Sequence, residues 1–153
     1  MNDTPSDNLP NENPAPALYL ERTGIRQYIA RNARGAEVRV GDGPGCFTPG
    51  DLLKLAIAGC NAMSSDIRLA GTLGEDFAQF IGVSGQYNEE ADRFESFQVE
   101  LVQDLSGLDD ETRDSMLRRA EKAIDRNCTI GHSFEHPMPY TRAFVSENLS
   151  EDS

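Results

Sequence analysis

Thr48-Pro49-Gly50-Asp51-Leu52-Leu53-Lys54-Leu55-Ala56-Ile57-Ala58-Gly59-Cys60-Asn61-Ala62-Met63 is the stretch on which the fold turns. A threonine precedes a proline, and a carboxylate follows three residues after the threonine. Threonine offers an oxygen to the orphan N–H groups of a helix start, and proline tolerates the first helical position because its missing donor is not needed there. The acidic residue completes a variant of the reciprocal cap in which side chain and backbone satisfy each other. From Leu55 to Met63 no side chain is charged. A helix apolar all round is expected to be buried, and one small domain cannot easily cover it alone. A dimer burying the helix between subunits is the expectation.

Upstream, residues 18–22 and 25–30 flank Thr23-Gly24, and residues 36–40 follow Ala33-Arg34-Gly35. Val38 and Val40 alternate with Glu37 and Arg39, the period of a half-buried strand. An antiparallel meander is expected. Residues 41–45 hold three glycines and a proline and read as a loop; without a G-K-[ST] ending or a βαβ frame they do not read as a phosphate cradle. Downstream, Ile81, Val83 and Tyr87 alternate with polar or small residues, as do Phe97, Val99 and Leu101, with residues 88–93 as the hairpin loop. A second helix is expected from about Asp109 to Asn127, striped by Met116, Leu117, Ala120, Ala123 and Ile124. A proline-containing loop over residues 132–139 and a last strand over 140–146 complete an α+β order, antiparallel sheet around a central helix.

Residues 1–17, rich in Pro, Asn and Asp, read as a disordered tail; 18–147 form one domain, and 148–153 a short C-terminal tail. The 153 residues carry a net charge of −12, from 14 basic against 26 acidic side chains. Such a surface repels nucleic-acid phosphates and anionic lipid, so neither is an expected partner. With no apolar run of membrane-spanning length and no secretory pattern, a cytoplasmic location is expected.

Three cysteines, Cys46, Cys60 and Cys128, are too few for a disulfide framework. Each is therefore a buried hydrophobe, a metal ligand or a reactive thiol. Cys60, beside Gly59 and one turn after Ala56, suits a packed and inert thiol. As a nucleophile it needs a cation from another segment, because the reactive form is the thiolate. The meander supplies Arg22, Arg26, Arg31, Arg34 and Arg39. Cys128 falls at or just past the end of the second helix, where the partial negative charge disfavours a thiolate. If the two cooperate, attack goes to Cys60 and resolution to Cys128; otherwise Cys128 is a plain capping-region residue. Cys128, His132 and His136 also form C-x3-H-x3-H, a zinc-like spacing that lacks a fourth ligand unless Cys60 supplies it. Cys46 has no partner nearby in sequence.

The run from Thr48 to Met63, together with Ala120-Glu121-Lys122-Ala123 and Asn127-Cys128, resembles the signature of the OsmC/Ohr superfamily, the osmotically induced and organic-hydroperoxide-resistance proteins. The resemblance spans residues 18–146. It implies an intertwined homodimer with central helices, and reduction of organic hydroperoxides, extending to hydrogen peroxide, with no cofactor. Cys60 would become a sulfenic acid, Cys128 would capture it as a disulfide, and a dithiol, often a lipoyl protein, would reduce that bond. The activating arginine of the family matches Arg31 best, with Arg34 next. The family's glutamate lies ten residues before the cysteine, where this chain has Gly50. Its carboxylate here is Asp51, nine residues before and so about 13.5 Å along the axis; it either holds an arginine or caps its helix. Thr129 follows Cys128 where the family commonly has proline. The alternative, from another class, is a non-catalytic protein of this fold that binds a small apolar ligand or a partner in the same interfacial pocket.

Overall fold

The computed structural model describes residues 18–149, so the expected tail over 1–17 and the last four residues lie outside the described residues. The chain gathers into two compact units, one ending at Leu53 and one beginning at Lys54.

The first unit is an antiparallel meander of β1 (Tyr19–Gly24), β2 (Gln27–Arg31) and β3 (Glu37–Gly41), in the order β1-β2-β3. The first turn lies one to two residues later than the sequence pattern suggests. Arg26 takes a left-handed φ of 56° there, and its guanidinium is held by the Asp42 carboxylate. Register is continuous from Gln27↔Gly41 to Arg31↔Glu37. The glycine-rich segment folds back on β3: the Phe47 N–H donates to the Arg39 carbonyl at 2.9 Å, and the Gly41 N–H to the Phe47 carbonyl at 3.0 Å. Gly43 and Gly45 take positive φ, which explains why small residues crowd this loop.

Helix α1 (Pro49–Leu73) starts where the cap predicts. The Thr48 N–H donates to Asp51 Oδ2 at 3.0 Å, and the Asp51 N–H to Thr48 Oγ1 at 3.1 Å. The helix runs ten residues past Met63 and ends against Gly74, whose φ is +99°. It is not buried all round within one chain. Ile57, Ala58, Ser65 and Leu69 are buried, whereas Met63 and Ile67 are 81% and 78% exposed. Absence of charge marked the helix correctly, but one chain covers a single stripe of it.

In the second unit β4 (Gln79–Asn88) and β5 (Arg93–Gln103) form a two-stranded antiparallel sheet. Helix α2 (Asp110–Asn127) follows, opened by Asp109, which accepts from the Thr112 N–H at 2.7 Å. Met116, Ala120 and Ala123 of the expected stripe are buried. Leu69 of α1 meets Met116 and Ala120 in the core, with Leu73, Phe77, Leu105, Leu108 and Leu117 around them. The Thr112 N–H holds the Asp109 carboxyl below its ordinary value. A depressed carboxylate stabilises the fold above its unfolded pKa of about 4 and loses that contribution as pH falls through the folded value. Asp109→Ala should therefore lower the melting temperature at pH 7, and the difference from wild type should shrink as melts are taken to progressively lower pH.

Two expectations fail beyond α2. Residues 129–134, with 132–134 expected to lie in the loop, form a short helix, α3 (Thr129–Phe134). The last strand over residues 140–146 is absent: that segment has no regular structure, and Tyr140, Phe144 and Val145 are exposed. Strand propensity describes fit to a pleated surface, and no described strand pairs with this one.

Candidate active site

Cys60 sits in α1, eleven residues after Pro49, and its position is set by the capped start of that helix. Cys128 sits where α2 and α3 join, and it terminates both. Its N–H donates to the Ile124 carbonyl at 2.9 Å, closing α2. Its Sγ accepts from the Gly131 N–H at 3.3 Å, opening α3. The position at a helix C-terminus expected from sequence is thus correct but half the story, since a second helix begins on the same residue. A Cβ on Gly131 would lie 3.2 Å from Cys128 Sγ, so glycine lets the amide approach the sulfur. Rings of Tyr87, Phe94, Phe97 and Phe134 follow one another at 5.1–5.5 Å between centroids and tie the β4–β5 hairpin to α3. Gly85 makes room for them: a Cβ there would lie 2.8 Å from the Phe97 ring.

The two thiols are free and hydrogen bonded to each other, with their sulfurs near disulfide-bonding distance. Burial pushes the Cys60 thiol up. Donation from the Cys128 thiol, the Ile130 N–H, the Ser64 hydroxyl and the Thr129 N–H outweighs that, and the net displacement is below the ordinary thiol value. For Cys128 burial also pushes up, and the neighbouring Cys60 adds to it; donors on Gly131 and Asn61 offset only part. Of the two thiols, Cys60 is therefore the one that ionises first. Iodoacetamide should alkylate Cys60 first, with its pH–rate midpoint below that of an ordinary thiol, and Cys128 more slowly. Peptide mapping after partial labelling at pH 7 and 9 reads the order.

A cleft of about 520 Å³ opens beside Cys128, lined among others by Asn61, Phe97, Asp125, His132 and Glu135. Asn61 Nδ2 donates to Cys128 Sγ at 3.3 Å. The His132 Nε2–H donates to the Asp125 carbonyl at 2.6 Å. Among the described residues no three His, Cys, Asp or Glu side chains gather as a metal ion requires, so the C-x3-H-x3-H spacing does not build a zinc site.

The other expected site residues belong to the first unit. Arg31 Nε donates to Glu37 Oε1 at 2.8 Å and its Nη1 to Glu21 across the strands; these bonds hold the guanidinium pKa above its ordinary value. Arg34 donates its backbone N–H to Asn32 Oδ1 at 3.0 Å. Asp51 takes the capping role described for α1. Cys46 Sγ donates to Gln27 Oε1 at 3.2 Å. Sequence reasoning missed Asn61 and the amides that open α3. Asn61 left one signal, an amide interrupting an otherwise apolar run beside Cys60.

Among the described residues no helix is long and apolar enough to cross a membrane. No family model matches the chain. Uncharacterized proteins of Mycobacterium tuberculosis and Mycobacterium bovis are each 41% identical over 120 residues, covering 77% of this chain and 88% of theirs. Among solved structures, a hypothetical protein from Aquifex aeolicus aligns with a TM-score of 0.62 and 16% identity, over 79% of this chain and 87% of that one. A putative osmotic stress induced and detoxification response protein from Psychrobacter arcticus gives 0.58 and 20%, over 76% and 85%. An OsmC-like protein from Mycoplasma pneumoniae gives 0.56 and 9%, over 80% and 89%. The chain belongs to one family with the mycobacterial proteins, and it shares the fold of the OsmC-like protein from Mycoplasma pneumoniae.

Proposed function

We propose that this protein is a thiol-dependent peroxidase that reduces organic hydroperoxides, its range extending to hydrogen peroxide. The observation that carries the reading is the pair of free thiols near disulfide-bonding distance, with Cys60 displaced below and Cys128 above the ordinary thiol value. The Cys60 thiolate attacks the terminal peroxide oxygen; the O–O bond breaks, an alcohol leaves with a proton, and Cys60 becomes a sulfenic acid. Cys128 attacks that sulfur, the S–O bond breaks, water leaves, and a disulfide joins the two residues. A dithiol of the lipoyl class restores both thiols by exchange.

Arg31 is the cation assigned to the Cys60 thiolate, with Arg34 as its substitute, and Asp51 fixes the register of the helix that carries the nucleophile. The working form is a homodimer in the cytoplasm. The exposed Met63 and Ile67 on α1 support a covering partner subunit, since water-facing apolar side chains on a helix favour association.

Wild-type protein should consume cumene hydroperoxide with excess dihydrolipoamide. In the absence of reductant its intact mass should fall by about 2 Da on peroxide treatment, the loss of two hydrogens. No turnover and no mass change would overturn the reading and favour the ligand-binding alternative.

A further inference from the structure

Cys128 poses a difficulty that the proposed peroxidase cycle does not resolve by itself. It is 2% exposed, so water cannot solvate a thiolate there, yet it must act as one twice. It attacks the Cys60 sulfenic acid, and it departs as a thiolate when a reducing thiol attacks Cys60 in the disulfide. A buried anion needs fixed donors in place of water. Two N–H groups point at this sulfur, both at 3.3 Å: the Gly131 backbone amide and the Asn61 carboxamide. The first belongs to the main chain. The second is a side chain placed one residue after the nucleophile on α1 and reaching across to the resolving sulfur, at the edge of the cleft of about 520 Å³.

We propose that Asn61 is a catalytic residue of the resolving half of this cycle, donating its Nδ2–H to Cys128 Sγ so that the buried sulfur carries negative charge both on closing and on opening the disulfide. The inference rests on the two-thiol reading above, but one arm of its test does not require peroxidase activity. On closing, the Cys128 thiolate bonds to Cys60 sulfur, the S–O bond breaks, and hydroxide leaves and is protonated to water. On opening, a reducing thiolate bonds to Cys60 sulfur, the S–S bond breaks, and its electron pair goes to Cys128. The same donor faces the same charge in both directions.

The test compares wild type with Asn61→Leu, which keeps the shape without the N–H, and with Asn61→Asp, which replaces the donor by a carboxylate. Thermal melts confirm that each variant is folded. In the opening arm, the disulfide is made with diamide and its reduction by dithiothreitol is followed from pH 6 to 10. Reduction should slow about tenfold or more in Asn61→Leu, and further in Asn61→Asp. In the closing arm, one equivalent of cumene hydroperoxide is added and dimedone traps sulfenic acid. Trapped Cys60 should rise in both variants, and the pH profile of disulfide formation should move upward because the Cys128 thiol is harder to ionise. Equal rates and an unmoved pH profile in both variants would overturn the role of Asn61, as would failure of diamide to form the disulfide. Absence of sulfenic acid with a slowed opening arm would instead overturn the peroxidase reading and leave the role of Asn61 in the thiol pair standing.

Discussion

Cys60→Ser should lower the proposed hydroperoxide turnover by at least ~10³-fold, because a serine hydroxyl at neutral pH is neither ionised nor a soft nucleophile towards an O–O bond. Cys128→Ser behaves differently and is the more informative variant. It should consume about one equivalent of cumene hydroperoxide per active site and then stop, since Cys60 could be oxidised but not resolved internally. Its mass should rise by about 16 Da, the addition of one oxygen, then by further oxygens as peroxide is increased, whereas wild type shows only the 2 Da loss. Stopped-flow oxidation against pH, with mass spectrometry at each endpoint, separates these outcomes. A wild-type level of turnover in Cys60→Ser would remove Cys60 from the chemistry.

The largest effect on stability is expected at Met116. Its side chain is 0% exposed and lies where α1 meets α2, against Leu69 and Ala120. Met116→Ala removes three heavy atoms from a close-packed site that cannot collapse around the loss, a change that costs about 2–5 kcal/mol. For a unit of this size the melting temperature should fall by about 10 °C or more. The same substitution lies outside the thiol pair, so oxidation of Cys60 at 20 °C should survive wherever the variant remains folded. Met116→Leu, close in volume, should cost less than about 1.5 kcal/mol. A calorimetric or dichroism melt of the three proteins decides the point, and equal melting temperatures would place the core elsewhere.

Much of this architecture can be read from local chemistry. Thr48, Pro49 and Asp51 announce α1 because capping is a short-range affair, and Asp109 announces α2 for the same reason. Alternation found β4 and β5 because each strand exposes one side more than the other. The start of α3 is illegible because its cap is a sulfur and its length is six residues, with glycine in the middle. Residues 140–146 carry the composition of a strand, but a strand needs a neighbour, and composition does not say where one is. The nearness of Cys60 and Cys128, 68 positions apart, followed from a family resemblance rather than from periodicity. What the residues alone could not convey is that Cys128 ends one helix and begins another, which places amides of α3 on both sulfurs.

That shared residue has a mechanical consequence. Between α2 and α3 there is no linker to take up slack: one backbone N–H and one side-chain sulfur of the same amino acid fasten the two rods. A length change of a single residue at this seam would detach one of them. For the same reason, a chemical change at that sulfur acts directly on the hydrogen bond that opens α3.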